Sequence, residues 1–237
     1  MDPVTLACIV GTLLTIALCA FEGSEDLGDG FMHHGIATPM ANARGIVSTE
    51  DGEGNDVVLV WLFDHRGGYG LLMVDVDSGA SQTFPVPWDL EGDTPFASLL
   101  SSDNKYYTHF DSHFAEFDPE KPGFTFVTEA HYRMAMGMTE SDEGIIYSVT
   151  YPNSGVARYN PETGEFDDYG PVHDENWNQY QRAVATDDTG WLYFGIGSTS
   201  CQIIAFDPQT EEAIALIPEQ EREHGAANLY RDENGNV

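Results

Sequence analysis

The sequence predicts an all-β chain, a β-propeller built from four-stranded antiparallel blades. Three observations carry that prediction. First, one phrase recurs four times: Val76-Asp77-Ser78-Gly79, Glu116-Phe117-Asp118-Pro119, Asn160-Pro161-Glu162-Thr163-Gly164 and Ala205-Phe206-Asp207-Pro208-Gln209-Thr210. Its anchors at 77, 118, 160 and 207 lie 41, 42 and 47 residues apart, the period of one propeller blade. Second, the intervening segments are short, rich in β-branched and aromatic residues, and bounded by Gly, Pro, Asn and Asp. Third, a second turn family recurs in step with the first: Asp51-Gly52-Glu53-Gly54, Ser102-Asp103-Asn104, Ser141-Asp142-Glu143-Gly144 and Asp187-Asp188-Thr189-Gly190.

Residues 1–21 come first. Pro3 to Phe21 is an almost unbroken apolar run ending in Ala17-Leu18-Cys19-Ala20, the pattern of a signal-peptide core, with Asp2 where basic residues usually stand. An uncleaved anchor and a misassigned start are the alternatives. Leu18 makes Cys19 a poor lipidation site. Residues 22–43 read as a linker, His33 and His34 included. The propeller is assigned to 44–237.

Blade one takes strands at 44–49, 57–63, 70–76 and 81–86. Blade two takes 96–100, 105–110, 114–117 and 124–128. Blade three takes 133–138, 145–150, 155–159 and 165–169, and blade four 182–185, 191–195, 202–206 and 213–217. The Asp-Pro-x-Thr-Gly type of phrase suits the turn between third and fourth strands, because Pro presets its φ and Gly accepts a positive one. Arg231-Asp232-Glu233-Asn234-Gly235 repeats the first-to-second turn and opens a fifth blade. Four blades and the start of a fifth leave an unpaired sheet edge, which points to an incomplete chain.

Composition limits the function. The chain has 40 Asp plus Glu against 9 Lys plus Arg, a formal charge of −31. That excludes a general role on nucleic-acid phosphates. Such acidity usually marks disorder, but 12% aromatic residues and regular strand patterns oppose it. An acidic surface with only Lys105 and Lys121 as lysines suits solubility at high salt, as in a halophilic or marine protein. If residues 1–21 are removed, Cys201 alone surely remains, so no intrachain disulfide is expected. The expected location is secreted, periplasmic or cell-surface, as a monomer that meets a membrane only through its N-terminal segment.

Strand connections in a propeller alternate between two end faces. Second-to-third loops and blade-to-blade connections share one face; the two acidic turn families share the other. Sorted this way, six of the eight histidines (65, 109, 113, 131, 173, 224) and five of the seven arginines (44, 66, 133, 182, 222) fall on one face. Arg44, Arg133 and Arg182 occupy the same slot, where the chain enters the innermost strand. In a chain so short of cations, repeated Arg at a channel rim suggests a local positive funnel for carboxylate or sulfate. The competing reading is that each Arg pairs with an acid of the neighbouring blade. Trp177, Asn176 and Tyr151 lie on the same face and suit a sugar, so an acidic polysaccharide or oligosaccharide is the expected ligand, bound by Arg44, Arg66, Arg133, Arg182 and these three.

Two chemistries fit. β-Elimination on a uronate needs a cation for the carboxylate, a base and an acid. Arg133 and Arg182 supply the first, His109 or His173 the base, and Tyr132 or Tyr180 the acid. Alternatively His65, His109, His113 and His131 provide ligands for a divalent metal such as Ca, Mn or Mg, although His-x-x-x-His across a strand turn is a weak signal. A non-catalytic propeller that binds glycans or proteins needs only the Arg and aromatic platform. No Walker-type Gly-Lys-Ser/Thr, Gly-x-Ser-x-Gly or Cys-x-x-Cys occurs.

Gly144-Ile145-Ile146-Tyr147, Gly190-Trp191-Leu192-Tyr193 and the Asn160–Gly164 turn resemble blades of the bacterial YVTN/NHL-like propeller superfamily, over residues 44–237. The phrasing resembles that of virginiamycin B lyases, and oligogalacturonate and ulvan lyases share the architecture. The resemblance implies a lyase acting on the channel face. It carries over no individual catalytic residue.

Overall fold

The computed structural model describes residues 25–33, 42–64 and 68–237, and the reading of residues 1–21 lies outside them. An N-terminal unit ending at Ala41 contains one hairpin, β1 (Glu25–Gly28) and β2 (Phe31–His33), within the segment expected to be linker. Its turn, Gly28-Asp29-Gly30, has φ of 82°, 53° and 83°, a left-handed path that glycine adopts at low cost.

The second unit runs from Asn42 to Val237 and forms four blades. Blade one is β3 (Asn42–Glu50), β4 (Asp56–Asp64), β5 (Gly68–Asp75) and β6 (Ser81–Pro85). Blade two is β7 (Ser98–Leu100), β8 (Tyr106–Phe110), β9 (His113–Asp118) and β10 (Gly123–Glu129). Blade three is β11 (Met134–Glu140), β12 (Ile146–Tyr151), β13 (Gly155–Asn160) and β14 (Glu165–Pro171). Blade four is β15 (Tyr180–Thr186), β16 (Leu192–Gly197), β17 (Gln202–Asp207) and β18 (Glu212–Ala215). Every blade pairs antiparallel in chain order, and a Met134–Phe110 bridge joins blades two and three into one sheet. The innermost strand of blade two starts at Ser98 rather than Phe96, which follows Pro95 and lies 43% exposed.

The first-to-second turn has the same hydrogen bonds wherever it recurs. Its opening N–H donates to the carbonyl four residues on: Asp51 to Asn55 (3.0 Å), Ser101 to Lys105 (2.8 Å), Ser141 to Ile145 (2.9 Å) and Asp187 to Trp191 (3.0 Å). The tail repeats it from Asp232 to Asn236 (2.8 Å). The opening side chain caps the turn from within; Asp51, Asp187 and Asp232 each accept two backbone N–H groups on Oδ1. The fourth position has positive φ, which is why Gly54, Gly144, Gly190 and Gly235 stand there, with Asn104 in blade two. The fifth turn is thus formed by the same rules as the other four.

The core lies between blades. Residues of β4 alternate, so Val57, Leu59, Trp61 and Phe63 all point inward and are at most 2% exposed. They pack with Tyr106, Phe110 and Phe117 of blade two. Tyr107 and Phe114 meet Ile146 and Tyr159 of blade three. Tyr147, Val149 and Val156 meet Leu192, Phe194 and Phe206 of blade four. Each fully buried large side chain contributes about 1.5–3 kcal/mol. The tail then covers blade four: Ala227 N–H donates to Ile196 O at 3.2 Å. That approach requires Gly195, where a Cβ would sit 2.2 Å from the Ala227 carbonyl oxygen. Packing runs one to two, two to three and three to four, without comparable contact between four and one among the described residues. The blades form a curled open array, consistent with an incomplete propeller. No helix among the described residues is long and apolar enough to cross a membrane.

Candidate functional site

Four of the residues picked from the sequence converge where blades three and four meet: Arg133, Tyr151, Tyr180 and Arg182. Arg133 directly precedes β11, whose first residue Met134 pairs with Tyr151 at the end of β12. Tyr180 and Arg182 open β15, which packs on β11. The Tyr151 and Tyr180 rings lie 5.0 Å apart at 42°, and the Arg182 guanidinium sits 5.8 Å from the Tyr180 ring centre. Asn178 donates to the Tyr151 hydroxyl at 3.0 Å. Desolvation, with the neighbouring Tyr180 phenol, raises the Tyr151 phenol above its ordinary value; the Arg133 charge opposes this.

The two arginines differ. Arg133 binds both oxygens of Asp93, through Nε at 2.8 Å and Nη2 at 2.6 Å. This is the neighbouring-blade pairing that the sequence left open as the structural alternative. Its side chain is still 60% exposed, so the outer edge of the guanidinium faces water. Arg182 is exposed and makes no ion pair among the described residues. Sequence reading missed Asp93, a buried residue of the connection from blade one to blade two, whose backbone N–H donates to Asp111 Oδ1 at 2.6 Å.

The histidines do not converge on this rim. His109, assigned as a base and a metal ligand, is fully buried between blades two and three. Its Nδ1 lies 2.8 Å from Ser148 Oγ and its Nε2 3.2 Å from the Tyr132 carbonyl, so both nitrogens are occupied. Burial pushes its pKa down to about 4, and the ring stays neutral. His113 stacks on Trp88 at 5.2 Å and 8°, its Nδ1 2.7 Å from the Asp111 carbonyl. His131 is exposed, with Nδ1 3.5 Å from Asp168. No group of three or more His, Cys, Asp or Glu among the described residues is placed to hold a metal. His65 and Arg66 lie outside the described residues, as does the Arg44 side chain, although Arg44 pairs with Trp61 through the backbone.

Other assignments change role. Arg222 is a clamp rather than part of a funnel: its side chain is 8% exposed and donates to Glu175, Glu219 and the Ser200 and Cys201 carbonyls. His173 shares Glu175 with it, at 3.1 Å. Trp177 is partly buried against the core between blades three and four, which removes much of it from a ligand platform. Asn176 is exposed. Tyr132 has φ of 64° and lies over Gly155, where a Cβ would meet its ring at 2.8 Å. With His131, Ser112 and Asp168 it lines a separate cavity of about 530 Å³.

No protein-family model and no curated protein matches the chain. Solved structures similar to it include virginiamycin B lyase from Staphylococcus aureus, at 13% identity and a TM-score of 0.52, over 83% of this chain and 62% of that one. Hydrazine synthase of Kuenenia stuttgartiensis gives 13% identity and 0.52, over 87% and 55%. The RRP9 WD40 repeats give 11% and 0.50, over 80% and 55%. The chain thus spans less than two thirds of each of these three. Likeness at this identity establishes the β-propeller fold alone.

Proposed function

We propose that this propeller is an exported protein that binds an anionic, uronate-containing polysaccharide across the rim of blades three and four. Arg182 carries the reading. In a chain with 40 carboxylate side chains it stands exposed, over Tyr180, with no carboxylate partner among the described residues. A ligand carboxylate supplies the missing partner, with bidentate geometry that guanidinium favours. The open edge of Arg133 offers a second contact, and Tyr151 and Tyr180 give the sugar an apolar wall. Export rests on the apolar run before Phe21.

A second reading, β-elimination at the same rim, is favoured by the Tyr151–Tyr180 pair beside Arg133. Arg133 would offset charge growing on the uronate carboxylate, and a phenol would protonate the leaving oxygen. Neither expected base stands free at this rim, since His109 is buried and His173 is paired with Glu175, so this reading assigns the cation and the acid alone. Polygalacturonate and a neutral glucan are the probes. Polygalacturonate should bind saturably, and Arg182→Ala should weaken it tenfold or more, since hydrogen bonds to charged groups contribute about 1.5–3 kcal/mol. Equal affinity in wild type and variant would sink the binding reading. An increase in ultraviolet absorbance from an unsaturated product, lost in Tyr180→Phe, would support elimination; retained binding without it would leave a binding module.

A further inference from the structure

We infer that the chain carries a second ligand site, for a neutral sugar or polyol, in the cleft between blades three and four on the face opposite the rim. The cleft has a volume of about 580 Å³ and is lined from the acidic turns of both blades. That volume lies within the range of small-molecule sites. Its walls combine Ile145, Tyr147 and Tyr169 with the polar groups of Arg158, Asp167 and Gln209.

Charge and hydrogen-bonding capacity together narrow the ligand class. Arg158 Nη1 donates to Asp167 Oδ2 at 2.6 Å, so the two charges compensate each other. Neither side chain is used up: Arg158 is 22% exposed and Asp167 39%. Arg158 keeps further N–H donors and Asp167 further lone pairs. An incoming anion would meet the carboxylates of Glu143 and Glu211 in the same lining, so the charge balance opposes anions. A hydroxyl both donates and accepts, so vicinal hydroxyls match this mixed, compensated set, and the C–H face of a sugar matches the apolar wall.

The repeat supplies its own comparison. Tyr107 pairs with Glu116 in blade two as Tyr147 pairs with Arg158 in blade three. In blade two the slot is closed on itself: Glu116 is 9% exposed and accepts from Tyr107 at 2.9 Å and Thr125 at 2.5 Å. Lys105, at the turn position of Ile145, reaches Asp118 at 2.9 Å. Blade three replaces the buried carboxylate with an accessible ion pair and the lysine with an apolar residue. The slot thus changes from a satisfied interior network to a recess whose polar groups face solvent.

The test is ligand-observed NMR on the whole chain, with cellobiose, galacturonate and spermidine as probes. Saturable cellobiose binding is expected, weakened tenfold or more by Arg158→Met. Because that change leaves Asp167 unpaired, Gln209→Trp serves as the second variant; it fills the mouth from an exposed turn and should abolish binding without touching the core. Excess polygalacturonate, which probes the rim, should not displace cellobiose. The inference is overturned by saturation with spermidine or galacturonate but not cellobiose, by no saturation with any probe, by binding that survives Gln209→Trp, or by displacement from the rim probe. The site does not depend on the rim reading, and polygalacturonate binding fails or holds separately.

Discussion

Trp61→Ala should destabilise the propeller by about 3–5 kcal/mol, the cost of removing a large aromatic side chain from a packed core. Trp61 is 0% exposed. It meets Phe110 edge to face at 5.3 Å and Phe124 at 6.1 Å, so its ring joins blade one to blade two. Gly45 packs against the ring, where a Cβ would lie 3.0 Å from Trp61 Cδ1. The indole N–H finds no hydrogen-bond partner among the described residues, so the ring contributes through packing. Trp61→Phe should therefore cost much less, about 1.5 kcal/mol or below, since it keeps most of the volume and discards an unpaired donor. Denaturant midpoints of the three proteins check this. Near-equal midpoints for wild type and Trp61→Ala would mean that the two blades do not unfold as one unit.

The blades were legible because turn chemistry and strand alternation repeat together. Asp187-Asp188-Thr189-Gly190 needs an acid that accepts backbone N–H groups and a glycine with positive φ, and both requirements are visible as letters. The same logic exposed the fifth turn at Asp232–Gly235. The hairpin at Glu25–His33 was missed because it belongs to no repeat. For the site, slot sorting put Arg133 and Arg182 near one rim, with Tyr151 and Tyr180, but not in one slot: Arg133 precedes the Met134–Tyr151 pair, whereas Arg182 is the bulged residue between Gln181 and Ala183. It failed where a loop's side-chain direction decides the outcome. His109 and His113 sit at either end of the β8–β9 turn and look equivalent in sequence, yet His109 points into the interface with Ser148 while His113 stacks on Trp88. Asp93 was invisible as the partner of Arg133 because the pair spans 40 residues and two blades. Arg222 followed the slot rule for a rim residue, but four local acceptors take up its donors.

His109 should make the fold lose about 3 kcal/mol as pH falls from about 6.5 to about 4. Burial is the main cause of its depressed value, about 4 against an ordinary 6.5; the Tyr132 carbonyl and the Asp168 charge pull it up, and His113 pushes it down. Between those two values the unfolded chain binds a proton that the folded chain refuses. Stability from the neutral ring is therefore complete above pH 6.5 and is lost as pH drops towards 4. The carboxylates act elsewhere on the scale. Asp51, Asp75, Asp187, Asp207 and Asp232 are held below the ordinary 3.8, so their contributions disappear only under more acid conditions. Asp111, raised by burial, has the opposite sign: its folded form takes up a proton more readily, which offsets part of the loss. His109→Gln separates these terms, because it deletes the imidazole and keeps a side chain able to reach Ser148. Urea midpoints measured from pH 7 to 4 should fall steeply in the wild type and much less in the variant, while both drop below pH 4. If the slope between 6.5 and 4 were the same in both, the acid sensitivity would arise from groups other than this ring.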